Sequence, residues 1–399
     1  MRALFEQRKN LPPQAQSTPG WRWAPPIAIF LIGSVIFWAV AYYHGADIKV
    51  HARYLISCIE QRFLPAAFGY YVVLAAVTLF STNLQILLIG SGVVLGAALA
   101  VRYYITFVAL RKYTSQPSSP EHYRCWVLPA CSLGLIILFC PPMPNEYWMG
   151  SNFPPNLWHN STYVFLMPFA LLLFMRSQDY LEGGNERVLA GISLLVVINL
   201  LIKPSFFFCF APIFPLFALT NFGMSRRFWL ALTPVLIGVI VLGVQYLIIY
   251  KSDAYDLLAD AGGASISLGW FYPWSYYAEN IPLVLLNSLL LPLSFLAFYP
   301  HIFVRNPRVL YAAALTVVGV AIYAFVYETG PRALHGNFGW QANASNALLH
   351  LTIIASFLEI KRSNSSFNWR DWILVSLFVM EVAFGVAYLT KFLVSGNYM

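Results

Sequence analysis

The sequence predicts an all-α, polytopic bundle of transmembrane helices, and three observations carry that prediction. Hydrophobic residues make up 59% of the 399 positions and charged residues only 10%, against about 25% charged in a soluble domain whose surface meets water. Mean hydropathy is +0.65. Apolar runs of about twenty residues, the length that crosses a ~30 Å hydrocarbon core, recur along nearly the whole chain. Residues 1–24 read as a cytoplasmic tail and 25–399 as one transmembrane domain.

The first run, 25–43, follows a polar and basic stretch (Arg2, Arg8, Lys9, Arg22). No small-residue cleavage site comes after it, so it is expected to be a first span and not a signal peptide. Further runs lie near 66–110, 125–141, 162–175, 188–202, 204–220, 228–250, 281–300, 308–326, 340–358 and 372–394. Ser81-Thr82-Asn83 interrupts the second of these. If it crosses once, over 82–110, with 66–80 along the outer surface, only Lys49, Arg53, Arg62, Lys203, Lys251, Arg332 and Lys391 of the 24 Lys and Arg face outward. The positive-inside rule demands such an asymmetry, and a double crossing would invert it. The topology predicted is about eleven spans, N-terminus inside and C-terminus outside, in the inner (plasma) membrane.

The net charge of +8 comes from these scattered loop residues. They form no basic stripe, and nucleic acid is excluded as a partner. Five cysteines without CxxC or Cys/His spacing read as small buried hydrophobes, and neither a metal nor a cofactor is expected.

The outer segments, 44–65, 142–163, 251–280 and 327–341, hold the candidate chemistry. Asp47, His51 and Tyr54, at spacings of four and three, would share one helical face just beyond the first span. A carboxylate there can take a proton from a hydroxyl nucleophile, or be a solvated neighbour of Lys49. In NLWHNSTYVF, Trp158 and Tyr163 suit the membrane interface, while His159 and Asn160 offer hydrogen bonds at headgroup depth. Lys203 in LLIKPSFF is an ionisable group beside hydrocarbon. Pro204 places it in an outer turn, from which it can reach a phosphate or the bulk headgroups.

The string YETGPRALHGNFGWQ gathers Glu328, Arg332, His335 and Asn337. An Arg fork matches phosphate oxygens, His can protonate one, and glycine lets a backbone approach a ligand. An internal Glu328–Arg332 salt bridge is the alternative. The aspartates of 251–280 lack EF-hand spacing, and the aromatic tail of that loop suits sugar rings and the interface equally. Glu381, in the middle of a run, must face the bundle interior and is assigned a structural hydrogen bond.

With its basic cytoplasmic flank, first span and outer segment opening as D-x-x-x-H-A at Asp47, the chain resembles the GT-C superfamily of glycosyltransferases. The Lys203-Pro204 turn between two spans is similar as well. The resemblance implies a GT-C-like fold and a polyprenyl-phosphate-linked sugar donor within the membrane lipids. It implies transfer, with inversion, to a glycan or lipid-linked acceptor such as the O-antigen of lipopolysaccharide. Asp47 matches the family's catalytic base. Lys203, Arg332, His159 and His335 would then stabilise the departing phosphate, with His51, Asn160, Glu328 and Asn337 lining the substrate. There is no second acid beside Asp47 and no large C-terminal soluble domain, which argues against the oligosaccharyltransferase and protein-mannosyltransferase branches. Two other readings stand: an O-antigen polymerase or ligase acting on polyprenyl-diphosphate-linked glycans through Arg332 and His335, and a lipid-linked sugar flippase or transporter. No inverted repeat supports the latter.

Overall fold

The computed structural model describes residues 23–44, 46–114, 123–143, 147–251, 265–363 and 366–396. Nearly all of the 1–24 tail, and residues 252–264 with the aspartates of the third outer segment, lie outside the described residues.

Helix dominates because, in hydrocarbon, a backbone must satisfy its own polar groups. Helix α1 (Ala24–Tyr43) leads to the amphipathic α2 (Asp47–Glu60), whose Ile48, Ala52, Leu55 and Cys58 are buried. The short α3 (Gly69–Val77) precedes the 31-residue α4 (Leu84–Thr114). Nine residues cannot cross a bilayer at 1.5 Å each, so the 66–110 run supplies one long crossing helix. Instead of lying free along the surface, α3 is built into the bundle, with Tyr70 and Leu74 fully buried.

A single π-helical turn (Tyr123–Val127) runs into α5 (Leu128–Ile137). Then come α6 (Ser161–Gly183), α7 (Arg187–Ile202), α8 (Ser205–Phe222) and α9 (Arg226–Lys251). After β1 (Ile266–Leu268) and α10 (Tyr272–Tyr277), helices α11 (Ile281–Ser288) and α12 (Leu290–Phe298) meet at a 69° bend. The chain closes with α13 (Pro300–Arg305), α14 (Pro307–Phe325), β2 (Val326–Glu328), α15 (Trp340–Ser363) and α16 (Trp369–Ser395). The two strands pair antiparallel, Ile266 against Glu328.

Among the described residues, seven helices are long and apolar enough to cross a membrane, or eight if the bent pair is one span. Two shorter apolar helices, 125–137 and α7, lie beside them. The sequence-predicted run at 340–358 forms α15, which is not among the apolar spans. It is instead the most interior helix. Gln341, Asn343, Ser345, Asn346, His350, Thr352 and Ser356 are all buried, because α15 packs against α4, α8, α12 and α14 and meets protein on every side. Glu381 of α16 reaches toward it, its Oε2 lying 3.2 Å from His350 Nε2 but off the direction a hydrogen bond requires.

The closest packing joins α1 to α4. A Cβ on Gly96 would fall 2.6 Å from the Ser34 backbone N, and one on Gly92 2.7 Å from Ser34 O. Small residues permit such contact where lipid supplies no hydrophobic drive between helices.

The two ends of the bundle differ in chemistry. At one end several basic residues are ion-paired: Lys112 with Asp179, Arg308 with Glu182 at 2.8 Å, Arg226 with Glu186 at 3.3 Å and Lys361 with Asp371. At the other end, His44 at the exit of α1 donates from Nε2 to Leu393 O near the end of α16. Helices α1 and α16 therefore finish at the same end, where Asp47, Lys203 and the 327–341 segment also lie.

Candidate functional site

Four separate stretches converge at this end: the start of α2, the segment entering α6, the α7–α8 turn and the first residues of α15. Residues 151–164, expected from the sequence to offer side chains at the membrane surface, are packed within protein. They fold back into the bundle and are almost wholly buried, with Asn156 Nδ2 donating to Leu135 O and Leu138 O. His159 and Asn160 are 1% and 4% exposed.

Asp47 is in the first turn of α2, where the helix dipole favours a carboxylate. Its Oδ2 accepts from Asn160 Nδ2 at 2.7 Å. Asn160 is the N-cap of α6, and its Oδ1 accepts from the Tyr163 backbone N–H and from Thr162 Oγ1, each at 2.9 Å. Thr162 Oγ1 in turn accepts from Lys203 Nζ at 3.3 Å. Lys203 caps α7 just before Pro204, and its ammonium lies 4.2 Å from the centre of the Trp340 ring, a cation–π contact. The predicted turn between two apolar helices is present, and Lys203 is folded over the bundle and held by protein.

His51, one helical turn after Asp47, shares Nδ1 between Ser161 Oγ at 3.0 Å and Tyr71 OH at 3.3 Å. His159 Nδ1 meets Tyr388 OH at 3.1 Å. Burial drives both imidazoles down to about 4, against the pull of the Asp47 carboxylate and with a further push from Lys203. Both are neutral at physiological pH, so His159 is no cationic donor. Burial also draws the Lys203 ammonium down to about 8; Asp47 opposes the shift, Arg332 adds to it and Glu328 opposes it. Lys203 thus stays a cation near neutrality.

The 327–341 segment contributes more distantly. Arg332 Nε lies 3.4 Å from Glu328 Oε1, and Glu328 also accepts from Asn337 Nδ2. The salt bridge anticipated as the alternative is thus formed. His335 is exposed, its backbone N–H closing a turn on Arg332 O.

Several contributors were not singled out from the sequence. Ser161 and Thr162 stood in the quoted NLWHNSTYVF string, and Trp340 in GNFGWQ. Tyr71 and Tyr388 carried no signal, since only the fold brings them to the histidines. Two indole donors, Trp158 Nε1 and Trp340 Nε1, are buried without an acceptor among the described residues. The site accordingly combines a carboxylate and a cation joined through Asn160 and Thr162. Among the described residues no three His, Cys, Asp or Glu side chains gather as a metal centre would need.

No protein-family model matches the chain, and no curated protein matches it.

Proposed function

We propose that this protein is an inverting membrane glycosyltransferase. In this reading it moves a sugar from a polyprenyl-phosphate carrier to a surface glycan, such as O-antigen, on the outer face of the inner membrane. The observation that carries the reading is the joining of half-buried Asp47 to half-buried Lys203 through the buried Asn160 and Thr162. A carboxylate suits an attacking hydroxyl; a cation suits a phosphate.

The acceptor oxygen attacks the anomeric carbon as its proton passes to Asp47, and the carbon–oxygen bond to the phosphate breaks with its electron pair going to the phosphate. Lys203 stabilises that charge inside protein, where it acts more strongly than in water. Neutral His51 and His159 orient groups by hydrogen bonding. Arg332 serves at one remove, since Glu328 already engages it, and the polymerase reading built on Arg332 and His335 gains no support from that pairing.

The topology proposed is about eleven spans: the seven long helices, the bent α11–α12 pair, the two short apolar helices and the interior α15. The two-ended distribution of ion pairs and acid–base groups supports it, as does α1 beginning at the ion-paired end while α16 finishes at the other. Both call for an odd number of crossings with the basic end inside. The test is turnover of a polyprenyl-phosphate sugar by purified Asp47→Asn protein. Loss by ~10²–10⁴, the range for a general base, supports the reading, and wild-type turnover in a stable variant refutes it.

A further inference from the structure

Hydrogen-bond direction through the cluster is fixed at every step. The Tyr163 backbone N–H can only donate, so the atom of Asn160 facing it is the carbonyl Oδ1, and the amide cannot be flipped. Thr162 Oγ1 approaches the same Oδ1 and must spend its single proton there. It therefore meets Lys203 Nζ as an acceptor. With Oδ1 committed, Asn160 presents its Nδ2–H to Asp47, and Asp47 Oδ2 accepts. The chain of donors runs one way, from the Lys203 ammonium to one oxygen of the carboxylate.

We infer that Asn160 is a positioning residue that designates Oδ1 of Asp47 as the atom that takes the substrate proton; this rests on the transferase reading above. The N–H donated to Oδ2 stabilises the charged oxygen there and makes Oδ2 the less basic of the two. Among the described residues Oδ1 has no hydrogen bond, and it is the oxygen left to face an acceptor hydroxyl. The sequence suggested Asn160 as a substrate donor at the membrane surface. The structure occupies both ends of its amide with protein and buries it. Because the N-cap role aligns the amide, the entry of α6 sets the angle of the base.

The experiment uses Asn160→Ser and Asn160→Asp, both of which retain a side-chain oxygen able to cap Tyr163 N–H while removing the donor to Asp47. The carboxylate bands of Asp47 are isolated as the infrared difference between each protein and its Asp47→Asn derivative in detergent. Turnover of a polyprenyl-phosphate sugar is measured on the same samples. Displaced Asp47 bands, with turnover reduced by up to about 100-fold as for a misplaced catalytic group, are expected in both variants. Thermal stability of Asn160→Ser close to wild type, against a loss in Asn160→Ala, separates positioning from capping. Unchanged Asp47 bands, or wild-type turnover in Asn160→Ser, overturn the assignment. Should Asp47→Asn itself turn over normally, the transferase reading falls, while the infrared bands still decide whether Asn160 orients the carboxylate.

Discussion

Exchange of Lys203 for methionine keeps an unbranched chain of similar reach across the Trp340 ring and removes the charge. Lowering the ammonium from 10.5 to about 8 corresponds to a cost of about 3 kcal/mol for holding the charged form in the folded protein at neutral pH, at 1.36 kcal/mol per pKa unit. Water at the partly exposed edge makes this an upper figure. Against it, methionine gives up the 3.3 Å hydrogen bond to Thr162 that a neutral amine would keep, about 1 kcal/mol, while the cation–π contact of the charged form is already contained in the net shift. Lys203→Met is therefore expected to be more stable than wild type at pH 7 by up to about 2 kcal/mol and to lose turnover. The pH dependence supplies the sharper check. Between about 8 and 10.5 the unfolded chain holds a proton on Lys203 that the folded chain does not, so wild-type stability rises with pH across that window relative to the variant. Thermal unfolding of the two proteins in the same detergent from pH 7 to 10.5 reads the difference directly, since other titrating groups cancel. A difference that stays flat or falls as pH rises would refute the account of Lys203.

Asp47→Glu should keep part of the activity that Asp47→Asn loses, provided the longer side chain still reaches the acceptor; equal loss in both would confine the role to a fixed hydrogen bond. In a Cys125→Ser background, cysteine placed at the exposed Met224 should resist an impermeant thiol reagent in intact cells, while one at His335 should react; the opposite labelling would turn the site inward. Gly96→Leu should cost about 1 to 3 kcal/mol by overpacking α1 against α4, because its Cβ would lie 2.6 Å from Ser34 N. Gly191→Ala, with open space at its Cβ, should be neutral or stabilising by less than about 1 kcal/mol, and equal destabilisation by the two would undo the packing argument.

The membrane class was legible because hydropathy is a summed property that needs no partner. Asp47, His51 and Lys203 were legible for the opposite reason: a charge or imidazole beside an apolar run stands out singly. What the sequence could not show was pairing. The Asn160–Asp47 bond joins residues 113 positions apart and His159–Tyr388 joins residues 229 apart, distances at which no local pattern operates. Span boundaries failed where helix and bilayer length part company. The run at 281–300 reads as one apolar segment but bends by 69°, and Asn280 and Pro282 announce only where it starts. The burial of His159 within protein was not legible because the aromatic residues around it suit an interface and a protein interior alike.

Helix α15 has a consequence for how the protein is made. A segment carrying Gln341, Asn343, Asn346 and His350 loses several kcal/mol in contact with lipid tails, and the translocation machinery would not release it into the bilayer alone. Its neighbours in sequence, α14 and α16, are strongly apolar. The three must therefore leave the translocon together, with α15 already shielded. Chains stopped before α16 should then fail to integrate α15, although every residue of that helix has been synthesised.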